Sequence, residues 1–153
     1  MISNLSILRA CHSRQVSLLM KKYAPLLNLN PEEAALCGWL HDFGYIVGDN
    51  YNHAAIGGKL LHDQGYKHWK EISTHGSLDG LFSPLGILLN IADMSVDHNG
   101  KTVGFEERLS DVVKRYGRAS VQWEKCSSLI MTLKKTEEWR IIQAARRNPT
   151  SSR

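Results

Sequence analysis

The stretch Ala34-Ala35-Leu36-Cys37-Gly38-Trp39-Leu40 runs directly into His41-Asp42 and stops at Gly44. A helix this apolar on every side is expected to be buried, yet it ends in an imidazole and a carboxylate, which are costly to bury without a partner. A backbone carbonyl, an arginine or a metal ion would each satisfy the pair, and the rest of the chain has to supply one of them. Asn30-Pro31-Glu32-Glu33 starts this helix, with an N-cap, a proline at the first helical position and a glutamate able to close a capping box.

Apolar periodicity extends the pattern along the chain. Leu5, Leu8, His12, Val16, Leu19 and Tyr23 fall on one face of a first helix, so His12 belongs to a buried stripe. Asn52 can cap a third helix with His53, Ile56, Gly57 and Leu60 facing inward. A fourth, from about Lys67, carries Trp69, Ile72 and His75 and ends at Gly76. Ser83-Pro84 opens a fifth, with Leu85, Leu89, Ala92, Asp93 and Val96 on its inner side. Phe105 to Tyr116, stopped by Gly117, reads as a sixth, and a last packing helix spans about 119–146 with Val121, Leu129, Leu133, Trp139 and Ile142. No segment alternates with period two for long enough to demand a strand. The expectation is an all-α, compact single-domain bundle of about seven helices over residues 1–147, with its core in 5–117 and a flexible tail at 148–153.

Composition sets the class. A chain of 153 residues buries roughly 70% of the surface its unfolded form exposes, enough for one core without staples. With 42% hydrophobic and 22% charged residues it is neither disordered nor fibrous. Cys11, Cys37 and Cys126 form no CxxC pair and leave an odd count, which points to free thiols in a reducing cytosol rather than a disulfide framework or zinc knuckle. No leader pattern and no membrane-length apolar run is present, so a cytoplasmic protein without membrane association is expected. The net charge of +4 suits an anionic substrate. Its densest basic cluster, Arg140, Arg146, Arg147 and Arg153, lacks the interleaved aromatics that stack bases, which argues against nucleic acid as a partner.

A lone histidine on an apolar helix face is ordinarily a satisfied core residue. Here five helices do the same thing, because His12, His41 with Asp42, His53, His75 and Asp93 each replace or adjoin a hydrophobe on an inward face. If those faces meet, the inserted groups meet as well, and a metal centre removes the cost of burying them. Imidazole and carboxylate donors together suit iron, manganese, nickel or zinc better than calcium, and six exceed the set of one tetrahedral zinc. His62, His68 and His98 fall near helix ends or turns and are left outside the set.

The ordered set His12, His41-Asp42, His53, His75, Asp93 resembles the HD-domain metal-dependent phosphohydrolase superfamily over roughly residues 5–117. The stretches His53-Ala54-Ala55-Ile56-Gly57 and Ile91-Ala92-Asp93-Met94 are similar to its H-x-x-x-G and A-D patterns. The resemblance implies that His12, His41, Asp42 and Asp93 hold one ion, that His53 and His75 hold a second, and that Asp42 bridges them. Iron or manganese is the favoured cofactor, with nickel, zinc or magnesium as alternatives. Tyr45 stands where the HD-G-K branches carry lysine, no GYP signature is present, and Phe43 to Val47 offer no carboxylate. The order is closest to small bacterial HD proteins resembling symmetrical diadenosine-tetraphosphate hydrolases.

The implied function is hydrolysis of a nucleotide or related small-molecule phosphoester by metal-activated water, with Asp42 at its centre. Lys59, Lys101 and Arg108 are candidate phosphate contacts, and Phe105-Glu106-Glu107-Arg108-Leu109 a candidate substrate-side wall. Asp49 is a candidate acid or base, although a carboxylate beside Asn50 is more simply a turn former. The same ligand order also fits an HD-type di-iron oxygenase or a non-catalytic nucleotide- or metal-binding regulatory module. The oligomeric state is not specified by the sequence.

Overall fold

The computed structural model describes residues 4–49 and 52–148. Its helices are α1 (Asn4–Tyr23), α2 (Pro31–Leu40), α3 (His53–Asp63), α4 (Trp69–Ser73), α5 (Pro84–Asp93), α6 (Phe105–Tyr116), α7 (Val121–Leu133) and α8 (Glu137–Arg147), with 3₁₀ turns at Ala24–Leu27, Phe43–Ile46 and Leu78–Phe82. The fold is all-α, and among the described residues the only β-type pairing is an isolated bridge between Val96 and Thr102.

The bundle is built around α5, eight of whose ten residues are buried. It packs against α1, α2, α4, α7 and α8, and α1 lies along α2. Val16, Met20, Ile72, Leu88, Leu89, Leu129, Leu133 and Ile142 are among the large hydrophobics closed most completely from solvent. Local chemistry sets several boundaries. Asn30 Oδ1 accepts the Glu32 and Glu33 N–H groups at 2.9 and 3.0 Å, and Ser83 Oγ accepts that of Gly86 at 3.0 Å, so the predicted starts of α2 and α5 are both capped. The Glu33 carboxylate, however, pairs with Lys67 and His68 rather than closing a capping box, because the α3–α4 connection runs beside the start of α2.

Four further details depart from the sequence reading. The helix expected over 119–146 is two, which brings the described helices to eight. Thr136 separates them, its hydroxyl donating to the Leu133 carbonyl at 2.7 Å and accepting the Trp139 N–H at 3.1 Å. Thr136-Glu137-Glu138 was a readable helix start, a capping hydroxyl followed by acidic residues in the first turn. Second, α2 is not buried on every side, since Leu36 and Trp39 are each 48% exposed. Third, α3 turns His53, Gly57, Gly58 and Leu61 inward and leaves Leu60 out, because both glycines face neighbouring backbone. Fourth, α4 is short, so His75 sits in the turn after it, and Val96 is buried beyond the end of α5. The Leu5 side chain and residues 149–153 of the expected tail lie outside the described set.

Two close approaches carry the backbone into the site. A Cβ at Gly44 would stand 1.7 Å from the His53 carbonyl oxygen, and one at Gly57 would stand 2.8 Å from Gly44 N. The Phe43–Ile46 turn therefore lies directly on the first turns of α3. Gly100, with φ +85°, lets the turn after α5 press against Cys11, the neighbour of His12.

Candidate metal centre

Five segments deliver the six predicted residues to one place. The third turn of α1 brings His12, the end of α2 brings His41 and Asp42, the first residue of α3 is His53, the turn after α4 holds His75, and Asp93 is the last residue of α5. His41 is fully buried, and His12, His75 and Asp93 nearly so.

Backbone carbonyls orient all four imidazoles the same way. Nδ1 of His12 donates to the Asp97 carbonyl at 3.0 Å, that of His41 to Gly38 at 2.7 Å, that of His53 to Asp49 at 3.1 Å and that of His75 to Ile72 at 2.6 Å. A carbonyl can only accept, so each Nδ1 carries the hydrogen and a neutral ring presents its lone pair at Nε2. Those four lone pairs converge. His53 Nε2 and His75 Nε2 are 3.1 Å apart, and each is 3.4 Å from Asp42 Oδ1. His12 Nε2 is 2.9 Å from Asp93 Oδ1 and 3.8 Å from Asp42 Oδ2. His41 Nε2 is 3.3 Å from Asp42 Oδ2 and 3.4 Å from Asp93 Oδ1, and it has no hydrogen-bond partner.

Lone pairs facing lone pairs and carboxylates in a buried site repel unless a positive charge sits among them. The ionisation pattern expresses the same demand. Burial works against a charged His41, but the Asp42 and Asp93 carboxylates outweigh it and hold the imidazole well above its ordinary range. Burial likewise favours protonated carboxyls, yet His41, His53 and His75 keep Asp42, and His12 and His41 keep Asp93, well below the carboxylate range. The donor set fits a divalent transition ion, with Nδ1–H bonds to carbonyls as the outer support such ligands need. Three donor groups stand close enough to share an ion: His12 with His41 and Asp42, His41 with His75 and Asp93, and Asp42 with His53 and His75.

The cluster opens into a cleft of about 250 Å³, whose far wall carries Arg108, Arg115 and Lys125 from α6 and α7. Arg108 is the predicted phosphate contact that the fold brings here. Its Nε is buried without a partner, and its Nη1 lies 3.6 Å from Asp111 Oδ2. Asp111 also faces Arg115 at 3.7 Å and His98 at 3.3 Å, so one carboxylate aligns three basic groups along the wall. The fold does not bring Lys59 or Lys101 to the cleft. Lys59 Nζ reaches Asp63 at 3.4 Å on the exposed side of α3, and Lys101 sits in the turn after α5. Asp49 and Asn52 exchange bonds, each accepting the other's N–H, so Asn52 does not cap α3. Asp49 contributes its carbonyl, as the acceptor that orients His53. His62 and His68 stand apart from the cluster.

Sequence reasoning missed Arg9, Tyr45, His98, Arg115 and Lys125 as cleft residues. The Arg9 guanidinium lies 3.4 Å over the Tyr45 ring centroid, and the opposite stacking partner of that ring is His53, at 4.0 Å and 14° between planes. Arg9 Nη1 also reaches Asp42 Oδ2 at 3.9 Å. Burial, reinforced by Asp42, pushes the Tyr45 hydroxyl up to about 12. Arg9 precedes His12 by three residues and so shares its helix face, a signal that was legible. Tyr45 becomes visible only once the Gly44–Gly57 contact lays its turn on α3.

The family model described as HD domain matches residues 9–117, a span that contains all six clustered residues and closes where α6 ends. No curated protein and no solved structure matches the chain. Among the described residues, no helix is long and apolar enough to cross a membrane.

Proposed function

We propose that this chain, which belongs to the HD-domain family, hydrolyses a small phosphate ester or anhydride, with nucleotides as the first class to test, using two divalent ions at the cluster. One observation carries the reading: Asp42 divides its carboxylate, turning Oδ2 to His12 and His41 and Oδ1 to His53 and His75. His12, His41, Asp42 and Asp93 would hold one ion, and Asp42, His53 and His75 the other. Iron and manganese suit these mixed nitrogen and oxygen donors, with nickel, zinc and magnesium as further choices. When bound, the ions supply Lewis-acid polarisation of the phosphoryl group and a water acidic enough to act near neutrality.

The chain's own residues supply orientation and charge. The four Nδ1–H bonds hold the imidazole planes before any ligand arrives, so no reorganisation is needed on binding. Arg9, Arg108, Arg115 and Lys125 give the cleft the positive field that draws in a phosphate and aligns it against the cluster. Cys11, Cys37 and Cys126 are all free thiols, which suits the cytoplasmic location we assign.

Metal analysis of protein purified without chelator, followed by assay of a nucleotide and phosphoester panel with manganese or iron, tests the reading. Close to two equivalents of metal with metal-dependent phosphate release is the expected result. Full metal occupancy without release of phosphate from any substrate overturns hydrolysis, and oxygen uptake by the iron-loaded protein in its place moves the chain to the oxygenase class.

A further inference from the structure

We infer that a groove beside the cluster, between α1 and the end of α2, seats the uncharged planar ring of the substrate, a nucleobase or aryl group, while its phosphate lies in the basic cleft. This rests on the hydrolase reading above. The groove measures about 590 Å³, a size that suits a small-molecule site. Trp39, Phe43 and Ile46 form one side of it, and the small residues Ser6, Ala10 and Ser13 of α1 form the other. Arg9, Asp42 and Tyr45 line both the groove and the cleft, so the two adjoin along the Arg9–Tyr45 stack, and a molecule with its phosphate in the cleft would extend a substituent over that edge into the groove.

The apolar wall belongs to a longer surface stripe that starts at Leu36, outside the groove. Leu36, Trp39, Phe43 and Ile46 recur at spacings of three and four residues as a core stripe does, yet they are 48, 48, 37 and 70% exposed. Exposed apolar stripes of this kind mark binding surfaces. Charge decides which part of a substrate goes where. In the cleft Arg9, Arg108, Arg115 and Lys125 oppose Asp42 and Asp93, an excess of cations that suits phosphate. In the groove Arg9 alone opposes Asp42 and Asp49, which repels a second anion and leaves apolar contact and ring stacking as the available attraction.

Phenyl phosphate and methyl phosphate, whose difference in leaving-group acidity cancels when their ratio is compared between wild type and variant, are the probes for turnover, and adenosine and ribose are the probes for binding. Adenosine should quench the fluorescence of Trp39, identified by loss of the response in Trp39→Phe, whereas ribose should not. In Trp39→Ala, and in Ala10→Leu, which fills the floor from the other side, the kcat/KM ratio of phenyl to methyl phosphate should fall about tenfold, the discrimination a lost apolar contact supplies. An unchanged ratio in both variants, with no quenching by adenosine, overturns the groove as a subsite while the hydrolase reading stands. Quenching in a metal-loaded protein that releases phosphate from neither these probes nor any member of the nucleotide and phosphoester panel supports the groove and defeats the hydrolase reading. A dimer that dissociates in Trp39→Ala assigns the stripe to a second copy of the chain and overturns the inference.

Discussion

The two halves of the cluster are built differently. On the Oδ2 side of Asp42, His12, His41 and Asp93 come from α1, α2 and α5, the helices that form the core, and core packing holds them in place. On the Oδ1 side, His53 opens a helix behind a loop, its side chain is 16% exposed, and its Nδ1 bonds to a carbonyl of that loop. What the core does for the first three, a stack of Arg9 on Tyr45 on His53 does for the fourth. One half of the site is therefore as stable as the fold; in the other, His75 is buried as deeply as His12, and His53 is the ligand tunable by a few side chains near the surface.

Asp42→Ala gives the largest expected effect, because it removes the group common to both halves. Loss of both ions and a fall in kcat of about a thousandfold or more should follow, read by metal analysis and phosphate release. Retention of either ion at wild-type affinity would break the bridging assignment.

Next come the single-histidine variants, which separate the halves. His41→Ala should lose the ion on the Oδ2 side, the inner one, and about 3 kcal/mol of stability, since it removes the fully buried imidazole that Asp42 and Asp93 share. His53→Ala should lose only the outer ion and leave the melting temperature of the metal-free protein close to wild type. Equal destabilisation by the two would erase the distinction between the halves.

A smaller effect is expected at Tyr45. Tyr45→Leu removes the stack and should weaken the outer ion by about tenfold, the size of an outer-shell defect, whereas Tyr45→Phe keeps the ring and should bind metal nearly as wild type does. Titration calorimetry distinguishes the two, and equal losses in both variants would point to the hydroxyl instead.

The smallest effect is the pH dependence of the metal-free protein. Asp42 and Asp93 have folded values below the ordinary 3.8, so their contribution is present above that pH and is lost as pH falls through the lowered values. His41 has a folded value above the ordinary 6.5, so its contribution is complete below 6.5 and is lost as pH rises through the raised value. Thermal melts in chelator between about pH 5 and pH 8 should therefore decline toward the alkaline end. Manganese should flatten that decline, because the ion takes the place of the His41 proton. A metal-free profile that rises with pH would reverse the assigned sign.

Much of this was legible in the chain. The six clustered residues announced themselves by a shared conflict, polar groups placed where helical periodicity calls for hydrophobes. Asn30 and Ser83 marked helix starts that the fold keeps, and Thr136 marked one that was readable and passed over. Arg108 could be nominated from sequence but not distinguished from Lys59 and Lys101, since all three are basic residues on or beside helices near the ligands. Only the packing of α6 and α7 across the mouth of the cluster selects Arg108, and brings Arg115 and Lys125 with it.

The sequence by itself determined the helical class, most helix boundaries and the set of residues that cannot be buried alone, because periodicity, capping and desolvation cost act within one helix. Tertiary structure decided which carboxylate oxygen faces which histidine pair, that carbonyls fix every imidazole through Nδ1, and that the apolar end of α2 lines an open groove instead of the core. Those outcomes depend on distances between segments far apart in the chain, set by close contacts such as Gly44 on Gly57 and Gly100 on Cys11. His41-Asp42 shows the division: its need for a partner is written in the helix that carries it, and the partner is assembled by four other segments.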